Sequence, residues 1–237
     1  MLRNEAISRI SVAGVSASYG GRPILSDLGF TVAPGKVMGI MGANGSGKST
    51  LIRVIAGLLP FTSGSVSIDG IPLPSGQPWT RLSAGVMHIA QTMPLFDDFT
   101  VDETIRLVAA RQHLPEKEFI SGIEAMFGAH VSLTRVVGTL SGGEQKRMAL
   151  AVALARRPLV LLADEVLSGV DDAGAEYAVE AIRRGANVHG TTTILVEHRT
   201  SLLCRLADSV VLLREGMLAR IWTDVAGNVD EIRTSAL

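Results

Sequence analysis

This sequence has few cysteines and no excess of basic residues, and both absences exclude particular classes of protein. Its 237 residues include one cysteine, Cys204, which cannot form an internal disulfide and therefore favours a reducing compartment. The 22 basic side chains are balanced by 23 acidic ones, so the basic excess typical of nucleic-acid-binding proteins is missing and we expect no nucleic-acid partner.

Long apolar runs are also missing. A membrane helix needs about 18 largely uninterrupted apolar residues. The longest candidate, residues 148–167, is interrupted by two arginines, a proline, an aspartate and a glutamate. No apolar segment follows a basic start at the N-terminus, so the sequence shows no sign of a secretory signal. We therefore expect a cytoplasmic protein that does not itself cross a bilayer.

The composition, with 47% hydrophobic and 19% charged residues, is typical of a globular domain. Strand patterns are predicted over residues 7–17, 28–33, 37–41, 66–70, 85–90, 159–163 and 192–196, with a closing hairpin around residues 215–216. Helices are predicted over residues 48–57, 101–111, 116–127, 141–156, 172–186 and 200–207, and a surface loop over residues 70–78. Strands that alternate with helices predict an α/β fold with a mostly parallel central sheet, accompanied by an N-terminal antiparallel β part and a helical subdomain.

Residues 42–49, Gly-Ala-Asn-Gly-Ser-Gly-Lys-Ser, match the phosphate-binding loop G-x-x-x-x-G-K-[ST] between a predicted strand and a predicted helix. Glycines allow backbone N–H groups to turn towards a phosphate, and the helix N-terminus adds its positive dipole end. A glycine-rich turn with an incidental lysine is the alternative, but the strand–loop–helix context favours nucleotide binding. The predicted binding residues are Gly42, Asn44, Gly45, Ser46, Gly47, Lys48, Ser49 and Thr50.

A pair of acidic residues, Asp164 and Glu165, follows the apolar run at residues 159–163 and forms a second candidate site. Asp164 and Glu165 would lie at the carboxyl edge of a parallel sheet, where such sheets bind ligands. Asp164, together with the Ser49 hydroxyl, suits a Mg²⁺ shell, and Glu165 suits a general base that polarises water. An acidic pair after a strand is often only a solvated strand end, but the phosphate loop favours the functional interpretation.

Residues 140–145, Leu-Ser-Gly-Gly-Glu-Gln, precede a long predicted helix. Ser141 and the N–H groups of Gly142 and Gly143 would form a helix N-terminus open to a phosphate, although the same residues also make a good helix cap without any ligand. The hexapeptide resembles the signature sequence of ABC ATPases, usually Leu-Ser-Gly-Gly-Gln, and its place ahead of the acidic strand end strengthens that resemblance.

The resemblance covers residues 10–223 and implies roles for further residues. Gln91 is similar to the Q-loop glutamine, which touches Mg²⁺ and couples the site to a transporter. His198 is similar to the switch histidine that contacts the γ-phosphate, and Tyr19 is similar to the aromatic residue that stacks on adenine. Residues 168–171 resemble the D-loop at the subunit interface. The implied catalytic residues are Glu165, His198, Lys48 and Gln91, with Ser49, Gln91 and Asp164 at the metal.

Two positions depart from the family pattern. Val166 stands where the family usually has proline, and Arg199 stands where aspartate commonly follows the switch histidine. Neither change removes a group with a chemical role. The resemblance therefore still implies ATP hydrolysis, within a single ABC ATPase domain made of a RecA-like core (residues 1–91 and 156–237) and a helical subdomain (residues 92–155).

The resemblance also implies partners. A head-to-tail dimer with a copy of itself or a related ABC ATPase chain would bind ATP and Mg²⁺ between the two subunits, and transmembrane permease subunits would hold it at the inner face of the cell membrane. The compact form is similar to the branched-chain amino-acid importer group, and a short exporter subunit is an alternative. Two functions outside transport compete with this interpretation: a soluble ABC ATPase in a non-transport process, and a nucleotide-binding regulator without hydrolysis.

Overall fold

Two β-sheets and the helices that pack on them make up this chain, which a computed structural model describes over residues 8–90, 96–112 and 132–235. The described strands are β1 (Ile10–Tyr19), β2 (Arg22–Val32), β3 (Val37–Met41), β4 (Ser63–Ile68), β5 (Ile71–Leu73), β6 (Val86–Ile89), β7 (Val160–Asp164), β8 (Thr192–Val196), β9 (Ser209–Arg214) and β10 (Met217–Trp222). The described helices are α1 (Lys48–Ile55), α2 (Pro78–Ser83), α3 (Val101–Gln112), α4 (Gly142–Ala155), α5 (Asp172–His189), α6 (Thr200–Leu206) and α7 (Val229–Ser235).

The larger sheet has six strands in the order β10-β9-β3-β8-β7-β6. All neighbours pair in parallel except β10, which forms an antiparallel hairpin with β9. Every residue of β3, β7 and β8 is buried, because the sheet is covered on both faces. The predicted α/β fold with a mostly parallel central sheet is confirmed.

The two faces of this sheet belong to two hydrophobic clusters. On one face, α4, α5 and α6 contribute side chains such as Leu150, Ile182 and Leu203. On the other face, Leu51 and Ile52 of α1 pack together with residues of the smaller sheet. The phosphate-loop helix α1 is therefore held between the two sheets, and its start is fixed by packing on both sides.

The smaller sheet is antiparallel, in the order β2-β1-β4-β5, and confirms the predicted N-terminal antiparallel part. The surface loop predicted over residues 70–78 was wrong in part, because residues 71–73 pair with β4 and Leu73 is buried against Val66. Helix α2 was not predicted either. Its Arg81 is buried and donates to the Ile55 carbonyl at 3.2 Å, a contact with the end of α1 that no local pattern indicates.

Helices α3 and α4 share a third hydrophobic cluster, which includes Val101, Ile105, Met148 and Ala151. This cluster is what a helical subdomain requires, but its boundaries at residues 92 and 155 stay a prediction. The helix predicted over residues 116–127 lies outside the described residues, and α7 was not predicted. Within the described ranges, none of the helices combines the length and apolar character needed to cross a membrane.

Candidate nucleotide site

The predicted site residues meet at the carboxyl edge of the larger sheet. Strand β8 lies between β3 and β7, and Asp164 at the end of β7 pairs with Val196 at the end of β8. The loop after β3, the acidic pair Asp164–Glu165 at the end of β7 and His198 after β8 consequently lie side by side at this edge of the sheet. Parallel strands that end at one edge are the usual setting for a ligand site in an α/β fold.

The phosphate loop depends on three glycines with positive φ: Gly42 at 150°, Gly45 at 80° and Gly47 at 101°. A Cβ on Gly42 would lie 2.2 Å from the carbonyl oxygen of Leu213, so this position has no room for a side chain. A Cβ on Gly45 would meet nothing within 4 Å, which shows that its conformation, and not crowding, requires glycine. The loop ends at Gly47, the N-cap of α1, and Lys48, Ser49 and Thr50 form the first turn of that helix.

Lys48 is only 6% exposed, and its ammonium donates hydrogen bonds to the carbonyl oxygens of Gly42 at 2.8 Å and Ala43 at 2.9 Å. Burial lowers the pKa of Lys48, while the nearby carboxylates of Glu165 and Asp164 act in the opposite direction. A cation in this position, at the start of a helix and over a glycine-rich loop, suits the binding of phosphate oxygens.

Ser49 and Asp164 form the candidate metal site. The Ser49 hydroxyl donates to Asp164 Oδ1 at 3.2 Å, although the two residues are 115 positions apart. Burial is the main cause that raises the pKa of Asp164; Glu165 raises it further and the Ser49 hydrogen bond lowers it. A hydroxyl and a buried carboxylate are hard oxygen donors of the kind that Mg²⁺ prefers, and a divalent cation would offset the cost of the buried charge.

Ser46 supports the same interpretation of the loop. Its hydroxyl is buried and, within the described part of the chain, its oxygen has no hydrogen-bond partner. A buried hydroxyl without a hydrogen-bond partner costs folding free energy unless a ligand supplies the missing partner. Because this hydroxyl belongs to the phosphate loop, a phosphate oxygen is a suitable partner for it. Together with Lys48 and the Ser49–Asp164 pair, it fits a Mg²⁺-bound nucleotide.

Glu165 and His198 form a hydrogen-bonded pair, with 2.8 Å between Glu165 Oε1 and His198 Nε2. Glu165 has a positive φ of 54°, an uncommon conformation for a residue with a side chain, and its N–H donates to the Val196 carbonyl at 3.1 Å. Backbone strain of this kind is typical of functional positions. A carboxylate that is oriented by a histidine can accept a proton from water.

The residues at the start of α4 form a capping box. The Ser141 hydroxyl accepts from the Glu144 N–H at 3.3 Å, and the Glu144 carboxylate accepts from the Ser141 N–H at 2.7 Å. Gly142 and Gly143 begin the helix, and a Cβ on Gly143 would lie 3.1 Å from the Gly169 carbonyl oxygen. The start of α4 therefore packs against the loop that follows Glu165, and the predicted role of Ser141, Gly142 and Gly143 at a phosphate stays a prediction.

The last two predicted site residues are Tyr19 and Gln91. Tyr19 lies at the end of β1 and is 71% exposed, so its ring is accessible to a ligand. Gln91 lies outside the described residues. Its predicted roles in metal binding and coupling stay predictions.

Comparison with known proteins decides the family. A model of the ABC transporter family matches residues 25–168. The chain belongs to this family. The match includes the phosphate loop, residues 140–145 and the acidic end of β7, so the ABC resemblance of the sequence is confirmed.

Among related proteins, the "Fe(3+) ions import ATP-binding protein FbpC" of Streptomyces coelicolor is 36% identical over 219 residues, covering 91% of this chain and 62% of the relative. The "Nod factor export ATP-binding protein I" of Rhizobium meliloti is 33% identical over 214 residues, covering 87% of this chain and 62% of the relative. This chain thus spans about three fifths of the length of these relatives. A solved structure described as "Structure of ATP binding subunit of ABC transporter" has a TM-score of 0.83 and 25% identity, covering 97% of this chain and 99% of the other.

Lys48, Ser49 and Asp164 meet at this sheet edge, an arrangement that suits a nucleotide site. Sequence reasoning missed one residue near the site, Lys146 of α4, whose ammonium donates to the carbonyl oxygens of Glu165 and Ser168. Its position five residues after Ser141 gave no signal, because the contact forms across 19 to 22 positions of the chain.

Proposed function

We propose that this chain hydrolyses ATP with Mg²⁺ and that hydrolysis drives solute transport through separate membrane subunits. The observation that carries the hydrolytic part is the 2.8 Å hydrogen bond between Glu165 and His198, at the same sheet edge as Lys48 and the Ser49–Asp164 pair. The transport part is supported by relatives that are named as import and export ATP-binding proteins.

Each side chain has a role that its position supports. Lys48 and the N–H groups of the phosphate loop bind the phosphates, and the exposed ring of Tyr19 stacks on adenine. Ser49 and Asp164 would hold Mg²⁺, which neutralises phosphate charge when it is bound. Glu165 orients the attacking water and accepts its proton, and His198 holds the Glu165 carboxylate in place. Gln91 completes the metal shell in this proposal.

The proposed assembly is a head-to-tail dimer, either of two copies or with a related ABC chain. Ser141, Gly142 and Gly143 of one subunit would complete the nucleotide site of the other, because their N–H groups begin helix α4 and a helix N-terminus favours an anion. Transmembrane permease subunits would anchor this dimer at the cytoplasmic face of the membrane. The relatives include importers and an exporter, so both directions of transport agree with the proposal.

Glu165→Gln tests the hydrolytic role. Glutamine keeps the shape of the side chain but cannot take up the proton, so we expect turnover to fall by about 10²-fold or more while ATP binding is retained. ATP binding is measured as the rise in Tm with Mg-ATP, and Lys48→Ala serves as the variant that loses this rise. Near-normal hydrolysis by Glu165→Gln would remove Glu165 from the role of general base.

Isolation of the tagged chain from membranes of its own host, followed by identification of the bound subunits, tests the transport role. We expect membrane proteins with several transmembrane helices in stoichiometric amounts. Quantitative recovery of the chain without any membrane protein would contradict the transport assignment and leave the assignment of hydrolysis unaffected.

A further inference from the structure

The loop of residues 165–171 joins strand β7 to helix α5, and we refer to it as the connecting loop. It begins with Glu165 and ends at Asp171, the N-cap of α5. Two turns shape it, since the N–H of Ser168 donates to the Glu165 carbonyl and the N–H of Val170 donates to the Leu167 carbonyl, both at 3.2 Å. The placement of the Glu165 backbone therefore depends on what holds these turns.

Two cations from different parts of the chain donate hydrogen bonds to the carbonyl oxygens of the connecting loop. Lys146 of α4 donates to the carbonyl oxygens of Glu165 at 3.3 Å and Ser168 at 2.7 Å. Arg199, which follows β8, donates through Nη1 to the Val170 carbonyl at 3.2 Å and through Nη2 to the Leu167 carbonyl at 2.7 Å. The planar guanidinium, with its donors in a fixed fork, suits two neighbouring carbonyls.

Arg199 is itself fixed close to the Glu165–His198 pair. The backbone N–H groups of His198 and Arg199 both donate to Glu197 Oε1, at 2.9 and 2.8 Å, and the Glu197 side chain is almost completely buried. Glu197 thus fixes the backbone of both residues, and Arg199 Nε lies 3.9 Å from the same Glu197 oxygen. These two neighbouring residues contact the connecting loop at different points: the His198 imidazole at the Glu165 carboxylate, and the Arg199 guanidinium at the carbonyls of Leu167 and Val170.

We propose that Arg199 is a positioning residue for ATP hydrolysis, which holds the connecting loop so that the Glu165 carboxylate stays against His198. Lys146 supports the same loop from the helix that Ser141 caps, and so links that helix to Glu165. The ionised side chain of aspartate, the residue common in the family at position 199, has no N–H to donate to a carbonyl. The departure from the family pattern therefore has a structural role in this chain. This inference rests on the proposed role of Glu165 as general base.

Arg199→Met tests the inference, because methionine keeps much of the aliphatic length and removes every donor. We expect kcat to fall by about 10- to 100-fold, the range for a small misplacement of a catalytic group, while the KM for ATP and the Tm rise with Mg-ATP are unchanged. Arg199→Lys, which retains a donor, should recover part of kcat. Arg205→Met is the matched control, since Arg205 lies on the next helix, α6, in an exposed ion pair with Glu176 and should keep the parental kcat.

A double-mutant cycle separates positioning from loss of fold. If Arg199 acts through Glu165, adding Arg199→Met to Glu165→Gln should lower the residual rate by no more than about twofold, because the group it positions is already disabled. An equal loss in both backgrounds, an unchanged kcat in Arg199→Met, or a loss confined to KM would overturn the proposal. If Arg199→Met does not fold, Arg199→Gln, which lacks the forked guanidinium, is measured in the same cycle and decides by the same criteria.

Normal turnover by Glu165→Gln alone would have a different consequence. It would remove the proposed general base, and with it the basis of this inference, whatever Arg199→Met does. A slow Glu165→Gln combined with a fully active Arg199→Met would leave the proposed function intact and overturn only the inference about Arg199.

Discussion

Replacing Ser141 with alanine distinguishes a helix cap from a residue that completes a partner's nucleotide site. The chain offers a matched control, because Thr100 forms the same capping box with Glu103 at the start of α3. The Thr100 hydroxyl accepts from the Glu103 N–H at 3.1 Å and the Glu103 carboxylate accepts from the Thr100 N–H at 2.7 Å, much as Ser141 and Glu144 pair at 3.3 and 2.7 Å.

The two roles of Ser141 predict effects of different size. Loss of a Ser or Thr cap costs about 0.5–2 kcal/mol, and the lower half of this range applies because the hydrogen bond to Glu144 is long and the Glu144 half of the box remains. A cost of about 0.5–1 kcal/mol lowers Tm by about 1–4 °C in a domain of this size. A hydrogen bond to a charged group contributes about 1.5–3 kcal/mol, so a lost contact with a partner's phosphate would slow hydrolysis by about 10- to 100-fold.

The assay combines thermal unfolding without nucleotide and steady-state hydrolysis at 25 °C for Ser141→Ala and Thr100→Ala. We expect both variants to lose a similar few degrees of Tm, while only Ser141→Ala loses turnover. If Ser141→Ala hydrolysed ATP as fast as Thr100→Ala, Ser141 would be a helix cap alone. The proposed head-to-tail dimer would then lose its main support.

Burial and packing at the site lead to two further predictions. Because burial raises the pKa of Asp164, its ionised form destabilises the fold, and this cost appears as pH rises through the folded-state pKa. Asp164→Asn should therefore raise the Tm of the nucleotide-free protein at neutral pH and abolish the Mg²⁺-dependent part of the Tm rise with ATP. A lower Tm of the nucleotide-free variant would contradict this. Gly42→Ala should lower the free energy of unfolding by about 3 kcal/mol or more, because its Cβ would lie 2.2 Å from the Leu213 carbonyl oxygen. Gly45→Ala, whose Cβ meets no atom within 4 Å, should lower it by only about 1 kcal/mol. Urea unfolding measures both, and equal losses would refute the packing argument.

The parts of the fold that follow local rules were predicted well. Strand β3 was predicted at its observed bounds, and helix α1 at its observed start, because a short apolar run, a glycine-rich turn and a helix are each encoded within a few residues. Strand β5 was missed because it exists only as a partner of β4. Helix α2 was missed because Arg81, which holds it against the end of α1, acts through a contact 26 positions away.

The sequence by itself determined the phosphate loop, the acidic end of β7 and the capped start of α4, because each depends on the conformations of adjacent residues. The tertiary structure alone decided that Glu165 and His198 meet at 2.8 Å, which requires β8 to lie beside β7 in the sheet. It also decided that Arg199 and Lys146 hold the loop that carries Glu165. The order of parallel strands, which joins residues far apart in the chain, is a property of the packed sheet, and no local pattern in the sequence specifies it.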